Sequence, residues 1–368
     1  MKTFKTDVLI VGGGPAGASA ALSILKYSDF SVTIIESSNL QKQRVGEQVS
    51  KSIFDFIDYL GLTKEDFGND CFLPGYSSNA AWGTNTIASR NSIQSTSIDS
   101  YQLDRELFDL VLLNKAVENG TELLLESKCL KFYKNSDFWT IEVSHPEFGL
   151  LTIESKYLID ASGRQSQISR LVGAHLSKED ELVAIGAFLE FKDERTLEQE
   201  IVLETVENGW WYYAVLPNKK VVATLFSDAE IVKSNKLNTI ENWSEELNKT
   251  IHIKHKVSGA IAYEKPWVRN AFSHITDFSS IDNFIAIGDA AVSFDPISSM
   301  GIGFAISSAC NGALAIMNGG QENIKIYQND LNNIYQNYLS TKSQYYYQER
   351  RWLESSFWKT RLNKSLKE

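Results

Sequence analysis

The residues best suited to chemistry are three glycines near the start of the chain. Gly12, Gly14 and Gly17 follow a β-branched run that ends at Val11, and an alanine-rich stretch comes after them. Gly12 would permit a tight turn, Gly14 the close approach of a pyrophosphate, and Gly17 the packing of a helix on the strand. A helix that begins here presents free N–H groups to a phosphate. The spacing therefore predicts a dinucleotide-binding turn.

The predicted site continues on both sides of this helix. Pro15 and Ala16 open the helix and would lie against the phosphates. Glu36 ends the next β-branched strand, at the spacing where a carboxylate can accept both hydroxyls of a ribose. A glycine triplet alone is weak evidence, but strand, glycines, helix, second strand and terminal acid together form a specific pattern.

Two later segments also look like strand ends that feed a nucleotide site. The apolar run 156–160 ends in Asp160 and leads through Gly163 into a turn, and the run 283–287 leads into Asp289. In a doubly wound sheet such strand ends converge on one crevice. Asp289 would be placed there to hydrogen-bond a ribityl hydroxyl.

A glycine-rich loop follows the third of these strands. Gly301, Ile302 and Gly303 would bring backbone N–H groups and a helix N-terminus onto a flat ring, and Pro296 is suited to shaping the loop before them. A positive helix end beside the N1/O2 edge of an isoalloxazine stabilises reduced, anionic flavin.

The composition excludes several classes of protein. The chain has 368 residues, of which 43% are hydrophobic and 22% charged, as expected of a globular protein of one or two domains. A net charge of −10 argues against a nucleic-acid partner. The cysteines are odd in number and far apart, and the histidines are scattered, so neither a disulfide framework nor a metal site is predicted. The segments 1–20 and 296–321 are too interrupted or too polar to export or span, so we expect a cytoplasmic protein without a membrane partner.

Hydrophobic periodicity predicts the remaining elements. Helices are expected at 50–60, 101–119 and 303–317. A small antiparallel layer is expected from four strand-like runs: 121–125, 129–134, 138–144 and 150–153. The region 182–268 reads as a second sheet interrupted by one helix at 237–249. Its aromatic cluster at 210–213 could be plain core or the wall of a pocket.

Four ordered motifs carry a resemblance to a known family. They are the glycine fingerprint, Arg105 within LDRELFD, the strand ending DASGRQS, and GDAAVSFDPISSMGIGFA. Together, over about residues 7–361, they resemble the superfamily of FAD-dependent monooxygenases and flavin-dependent halogenases. The resemblance implies FAD as cofactor and an α/β fold. That fold has a Rossmann-like three-layer FAD-binding domain, an inserted and mainly antiparallel β-sheet substrate domain, and a helical C-terminus.

The implied domains follow the order of the motifs. The FAD-binding domain would comprise 1–75, 101–181 and 271–322, the substrate domain 76–100 and 182–270, and the helical C-terminal region 323–368.

The resemblance also implies roles for residues outside the fingerprint. Arg44 and Arg105 look like contacts to FAD, although either could be a solvated charge. Glu47 is a candidate catalytic acid beside the flavin, with a loop or helix-cap carboxylate as the alternative. Pro296 is the second candidate catalytic residue.

The chain departs from the halogenase pattern in two places. The segment RVGE, which ends at Glu47, resembles the halogenase V-G-E segment, but no lysine lies between Lys64 and Lys115, where halogenases place a catalytic lysine. In the segment GWWYYAVLP, Tyr212 and Ala214 stand where halogenases have two tryptophans. Halogenation is therefore disfavoured.

The same segment and the C-terminal aromatic residues at 345–358 resemble the flavoprotein maturases of tryptophylquinone-containing amino-acid oxidases. That resemblance implies a partner protein as substrate: the precursor of a lysine or glycine oxidase whose tryptophan side chain is hydroxylated. It implies a monooxygenase of the flavin C4a-hydroperoxide type, in which electron-rich indole attacks the distal oxygen. Such chemistry needs little acid–base machinery, which agrees with the absence of any Ser/His/Asp constellation.

Two alternatives remain open at this stage. One is an FAD-dependent hydroxylase or reductase of a small aromatic or isoprenoid molecule, since the fold serves many substrates. The other is a flavin-binding chaperone without catalytic activity. The electron donor is also open: the chain has no second glycine fingerprint for a nicotinamide, and either NAD(P)H or a reductase would serve.

Overall fold

The computed structural model describes residues 2–41, 44–91, 100–135, 137–262 and 264–364. Parts of the expected 76–100 strands, of the loop after Glu36 and of the C-terminal region lie outside these ranges. The strands, in chain order, are β1 (Lys2–Val11), β2 (Val32–Ile35), β3 (Gln48–Ser50), β4 (Phe72–Gly75), β5 (Ser77–Ala81), β6 (Ala88–Asn91), β7 (Ser100–Leu103), β8 (Glu122–Leu124), β9 (Lys128–Lys134), β10 (Trp139–His145), β11 (Gly149–Asp160), β12 (His175–Lys178), β13 (Leu182–Phe191), β14 (Glu200–Val206), β15 (Gly209–Val215), β16 (Val221–Asp228), β17 (Ala260–Ala262), β18 (Trp267–Asn270), β19 (His274–Asp277), β20 (Phe284–Ala286) and β21 (Val292–Ser293).

Helices lie between and after these strands. They are α1 (Pro15–Tyr27), α2 (Ile53–Tyr59), α3 (Arg105–Glu118), α4 (Gln167–Leu171), α5 (Ala229–Ser234), α6 (Ile240–Asn248), α7 (Ile253–Lys256), α8 (Gly301–Asn318), α9 (Gly320–Tyr347) and α10 (Ser356–Lys364). Short 3-10 turns occur at Lys64–Phe67, Pro217–Lys219, Gly288–Ala290 and Pro296–Ser298.

The first sheet contains β1, the strand that leads into the glycine turn. Its strands run in the order β8-β2-β1-β11-β10-β9, and β20 also pairs with β11. The pairs β1–β2, β1–β11 and β11–β20 are parallel, so the three strand ends expected at the nucleotide site lie at one edge. The last four residues of β1 and β11 and all of β2 and β20 are buried, which explains the apolar runs that precede the strand ends.

The second sheet has eight strands in the order β17-β13-β16-β15-β14-β5-β6, with β18 also paired to β13. Most of its pairs are antiparallel, and its side chains alternate between two faces. Trp211 packs on Trp243 on one face, whereas Trp210 stacks on Phe226 on the other, with ring centroids 4.1 Å apart. The aromatic cluster therefore supplies plain core on one face and a cavity wall on the other. The predicted α/β class with an inserted antiparallel sheet and a helical C-terminus is confirmed.

The predicted boundaries of the small antiparallel layer were wrong. The runs 150–153 and 156–160 are one strand, β11, whose first half pairs with β10 and whose last residues pair with β20. The run 121–125 forms β8, which pairs in parallel with β2 instead of joining the layer. The expected layer is thus a continuation of the nucleotide-binding sheet, because a twelve-residue strand is long enough to serve both parts.

Two of the predicted helices begin later than expected. The 101–119 helix begins at Arg105, because the Asp104 carboxylate caps the N–H groups of Glu106 and Leu107, and Ser100–Leu103 pairs as β7 with β3 and β4. Its buried face is also different from the expected stripe, since Leu110 and Val117 are exposed. The 50–60 helix likewise begins at Ile53.

Two further helices differ from their predicted limits. The single helix expected at 237–249 is one of three short helices, α5 to α7, over residues 229–256. The helix expected at 303–317 starts at Gly301. By length and composition it is the one described helix that could cross a membrane, but more than half of it is buried against the rest of the protein, as in the core helix of a globular fold.

Candidate active site

The three glycines of the glycine turn have different structural roles. Gly12 has a φ of +119°, and a Cβ added to it would lie 2.2 Å from the Ala161 carbonyl oxygen. A Cβ on Gly17 would lie 1.9 Å from the Gly12 oxygen. An added Cβ on Gly14 would meet only Arg44 Nη1, at 3.7 Å. Gly12 and Gly17 therefore permit close backbone packing, whereas Gly14 leaves the approach to the start of α1 open.

The acid at the end of β2 lies against this turn. Glu36 Oε2 accepts a hydrogen bond from the Gly13 N–H at 2.8 Å, and its Oε1 accepts from the backbone and hydroxyl of Ser38. Gly13, which the sequence analysis did not select, thus fixes the carboxylate beside the glycine turn. A carboxylate offers about four acceptor positions, so these three hydrogen bonds leave Glu36 capacity for a ribose hydroxyl.

Two arginines from separate segments share one buried carboxylate. Arg105 binds Asp109 through Nε and Nη2, and Arg44 Nη1 binds Asp109 Oδ2 at 2.6 Å. Arg105 Nη1 also donates to the carbonyls of Val45 and Gly46. Asp109 was missed from the sequence, although its position one turn after Arg105 was a usable signal. It holds the loop before β3 against α3.

A partly open cavity of about 440 Å³ lies beside the glycine turn. Ten of the predicted site residues line it: Gly14, Pro15, Ala16, Glu47, Arg105, Gly163, Asp289, Pro296, Gly301 and Ile302. The structure thus brings together segments that are up to about 290 residues apart in the chain. None of the described residues that line this cavity is a lysine.

Glu47 is the acid in the wall of this cavity. Its side chain is 5% exposed, and its Oε1 has no hydrogen-bond partner among the described residues. Burial raises the pKa of Glu47 to about 7, and the nearby Arg105 guanidinium limits the rise. A carboxyl in this state can hold or release a proton near neutral pH.

The DASGR turn contributes differently from the way its sequence suggests. Asp160 is fully buried and does not line the cavity, because its carboxylate accepts hydrogen bonds from the Ser162 and Ser169 N–H groups and from the Ser169 hydroxyl. Gly163 does line it. Arg164, which was not selected, binds Asp289 with 3.3 Å between Nε and Oδ2. We predicted that Asp160 contacts the cofactor directly. Its position outside the cavity lining does not favour that prediction, which stays untested.

The loop before α8 is built by local capping. The Asp295 carboxylate caps the turn that begins at Pro296 by accepting the Ile297 N–H at 3.1 Å. The Ser299 hydroxyl then donates to Gln48 Oε1, which ties this loop to the Glu47 segment. An added Cβ at Gly301 or Gly303 would meet nothing within 4 Å, so the first N–H groups of α8 are open to approach. Gly303 itself is not among the residues that line the cavity.

The far wall of the cavity comes from the second sheet and is aromatic. Trp210, Tyr212, Phe226 and Trp267 line it, and the Tyr212 hydroxyl donates to Gln102 Oε1 at 3.3 Å. Burial raises the pKa of Tyr212 well above its usual value, so this phenol stays neutral. The cavity is therefore polar where the first sheet ends and apolar where the second sheet faces it.

These features fit FAD. The starts of α1 and α8 and the Glu47 residue line one cavity. The Glu36 carboxylate is bound to Gly13 of the adjoining glycine turn, although Glu36 is not among the described residues that line the cavity. The N–H groups at Gly14 would hold the pyrophosphate, and those at Gly301 and Ile302 the flavin edge. No group of three or more His, Cys, Asp or Glu side chains suited to a metal occurs in the described part of the chain.

Comparison with known proteins agrees with this geometry. A family model described as FAD binding domain matches residues 5–328. LodB of Marinomonas mediterranea, described as an FAD-dependent oxidoreductase, is 40% identical over 356 residues, which are 96% of each chain. Tryptophan 2-halogenase of Chondromyces crocatus is 26% identical over 324 residues, 84% of this chain and 61% of that one.

Solved structures show the same fold. The flavin-dependent halogenase CmlS superposes with a TM-score of 0.84 at 25% identity, covering 99% of this chain and 70% of that one. The myxobacterial chondrochloren halogenase CndH gives a TM-score of 0.85 at 19% identity, covering 100% of this chain and 89% of that one. The family match and the relative LodB support an FAD-dependent oxidoreductase. The chain belongs to the FAD binding domain family, within the superfamily of flavin-dependent halogenases and monooxygenases.

Proposed function

We propose that this protein is an FAD-dependent monooxygenase. Its substrate would be a tryptophan side chain of a partner protein, the precursor of an amino-acid oxidase that carries a tryptophylquinone. The observation that carries the proposal is that one cavity joins the open helix starts at Gly14 and Gly301 to an aromatic wall at Trp210, Tyr212 and Trp267. An indole ring matches such a wall in shape and polarity.

We assign separate roles in substrate orientation and proton transfer to residues that line the cavity. The aromatic wall orients the indole ring and excludes water from the space beside the flavin edge. Glu47, with a pKa near 7, holds or delivers a proton at its unpartnered Oε1. Bound and reduced FAD would supply oxygen activation, and electron-rich indole requires little further activation from the protein.

Two observations favour hydroxylation over halogenation. The cavity lacks a lysine among the described residues that line it, and the chain has none between Lys64 and Lys115. An amine is what halogenases of this superfamily use to hold or relay hypohalous acid. The resemblance to halogenase structures therefore extends to the fold and not to the halogenation chemistry. The 40% identity to LodB supports a shared oxidoreductase chemistry.

The test is to express the precursor oxidase with this protein and to weigh the precursor. We expect a mass increase by whole oxygen atoms on one tryptophan, located by fragmentation of the peptide. Matched controls are a precursor with that tryptophan changed to phenylalanine and the variant Gly14→Ala of this protein. NADH, NADPH and a flavin reductase are supplied in separate reactions to identify the electron donor. An unchanged precursor mass under all three donors would exclude the proposal.

A second candidate is a hydroxylase or reductase of a small aromatic or isoprenoid molecule. The aromatic wall of the cavity would also suit a small aromatic or isoprenoid ring, and a closed pocket beside bound FAD would favour this candidate over a protein substrate. Oxygenation of a small molecule together with an unaltered precursor would select this candidate. FAD that is reduced and reoxidised without any product would instead indicate the flavin-binding chaperone.

A further inference from the structure

A hydrogen-bonded pair links the wall of the active-site cavity to the wall of a second cavity. Asp295 is part of the wall of the first cavity, and its Oδ2 accepts a hydrogen bond of 2.7 Å from the Tyr346 hydroxyl. Tyr346 is part of the wall of a second cavity of about 570 Å³, here called the charged pocket, which is also lined by Asp180, Lys342 and Arg361. Both cavities are partly open.

The groups around Asp295 form a connected polar cluster. The Lys342 ammonium lies 3.8 Å from Asp295 Oδ2, forms an ion pair with Asp180, and donates to the Ser273 hydroxyl at 3.1 Å. The Tyr338 hydroxyl accepts the Asp295 N–H at 2.7 Å. These groups, Tyr346 and the more distant Arg361 are the titratable or charged groups that surround Asp295 among the described residues.

Burying these charged groups costs folding free energy, which suggests that the cluster has a functional role. Asp295 is fully buried and Lys342 is 9% exposed, and taking such groups out of water carries a penalty of several kcal/mol per ion. An apolar pair of the same size would pack α9 on the second sheet without that penalty. Trp210, in the wall of the active-site cavity, also donates its indole N–H to Tyr346 at 3.0 Å.

Each reoxidation of a reduced flavin consumes one proton, and a wall group that supplies it, such as Glu47, must then be reprotonated from outside the cavity. Anionic reduced FAD and O2 consume one proton to give oxidised FAD and hydrogen peroxide. Anionic reduced FAD, O2 and an aromatic C–H also consume one proton, and give oxidised FAD, the hydroxylated ring and water. In the first reaction the two electrons of the flavin reduce O2 to peroxide. In the second, the flavin and the aromatic C–H each supply two of the four electrons that reduce O2, and in both reactions one hydrogen of the peroxide or water comes from the flavin itself. A bound flavin would displace water from the part of the cavity beside Asp295, so a protein group there would be the nearest source of the second proton.

We propose that Asp295, Tyr346 and Lys342 form a proton path from the charged pocket to the flavin side of the active-site cavity. Asp295 is the member of the path that lines the active-site cavity, and it lies within hydrogen-bond distance of Tyr346 and 3.8 Å from the Lys342 ammonium. Burial raises the pKa of Asp295, and the Lys342 ammonium opposes the rise. This proposal rests on one part of the proposed function, the binding of FAD in the cavity. It does not require that the substrate is tryptophan.

The test uses the FAD-loaded protein without any partner. The reduced protein is mixed with O2, and reoxidation is followed by flavin absorbance in H2O and D2O over a range of pH. Tyr346→Phe removes the hydroxyl and keeps the ring. We expect it to slow reoxidation about tenfold or more and to increase the solvent isotope effect. Tyr335→Phe is the matched control, since Tyr335 lies on the same helix, is 3% exposed, and its hydroxyl has no partner among the described residues.

A second measurement is independent of turnover. The infrared difference spectrum between oxidised and reduced protein should contain a carboxyl band that is absent in Asp295→Asn. Reoxidation of Tyr346→Phe at the rate of Tyr335→Phe, or a difference spectrum that Asp295→Asn leaves unchanged, overturns the proposal. If Tyr346→Phe does not retain FAD, Lys342→Gln takes its place under the same criterion. Failure to hydroxylate tryptophan would leave both measurements unaffected.

Discussion

Arg105 binds Asp109 one turn along the same helix through two N–H groups, 3.1 Å from Nε to Oδ1 and 2.9 Å from Nη2 to Oδ2. Arg44 binds the same carboxylate from the loop before β3. The side chain of Asp109 is 4% exposed, so both guanidinium groups depend on one buried charge for their position. Because Arg44 lies beside Gly14 and Arg105 lines the cavity, this carboxylate helps to set the shape of the predicted FAD site.

Replacing Asp109 by asparagine should destabilise the protein by about 3 kcal/mol, since it leaves buried Arg105 without its counter-charge. FAD affinity should fall as well, because Arg44 is released from its position. Urea unfolding and FAD titration measure the two effects. Glu118→Gln is the control: it removes a solvent-accessible pair with Lys115 on the same helix as Asp109 and should cost less than about 1 kcal/mol. Equal losses in both variants would contradict this account.

Glu47 should make the stability of the FAD-free protein fall as the pH rises. Its pKa is raised from 4.5 to about 7, so the folded state binds more protons than the unfolded state between these values. The free energy of unfolding should therefore decrease by up to about 3 kcal/mol across this window. Glu47→Gln should abolish this loss. The exposed Glu106→Gln should retain it, and an unchanged slope in Glu47→Gln would show that the carboxyl is not buried in solution.

His274 should act in the opposite direction on acidification. It is fully buried between the hydroxyls of Ser166 and Ser293, and burial lowers its pKa from 6.5 to about 4. The unfolded state binds more protons between these values, so stability should fall by up to roughly 3 kcal/mol as the pH decreases from 6.5 to 4. His274→Gln should remove that dependence, whereas the exposed His175→Gln should not. Unfolding curves at several pH values would reveal either outcome.

The glycine turn allows folding and cofactor binding to be separated. Gly12→Ala places a Cβ against the Ala161 carbonyl at a φ of +119°, so it should prevent normal folding. Gly14→Ala meets only Arg44 at 3.7 Å, so it should fold normally but bind FAD about tenfold or more weakly. Thermal melts with and without FAD distinguish the two effects. Gly173→Ala controls for strain alone, because its φ is +92° and its Cβ would meet nothing within 4 Å. Normal FAD affinity in Gly14→Ala would place the pyrophosphate elsewhere.

The sequence by itself determined the parts that depend on local pattern. The spacing of Gly12, Gly14 and Gly17 and the acid at Glu36 specified the glycine turn, because turn geometry and strand length are set by neighbouring residues. The apolar runs before Asp160 and Asp289 likewise identified parallel strands. Alternation along β15 left open which aromatic residues formed core and which formed a cavity wall.

Only the tertiary structure decided what each polar side chain contacts. It turned the Asp160 carboxylate away from the cavity, gave Arg44 and Arg105 a common partner, and left Glu47 buried with an unpartnered oxygen. It also placed Asp295 against Tyr346, 51 residues further along the chain. Burial and hydrogen-bond partners depend on which distant elements pack together, and a local hydrophobic period contains no information about that choice.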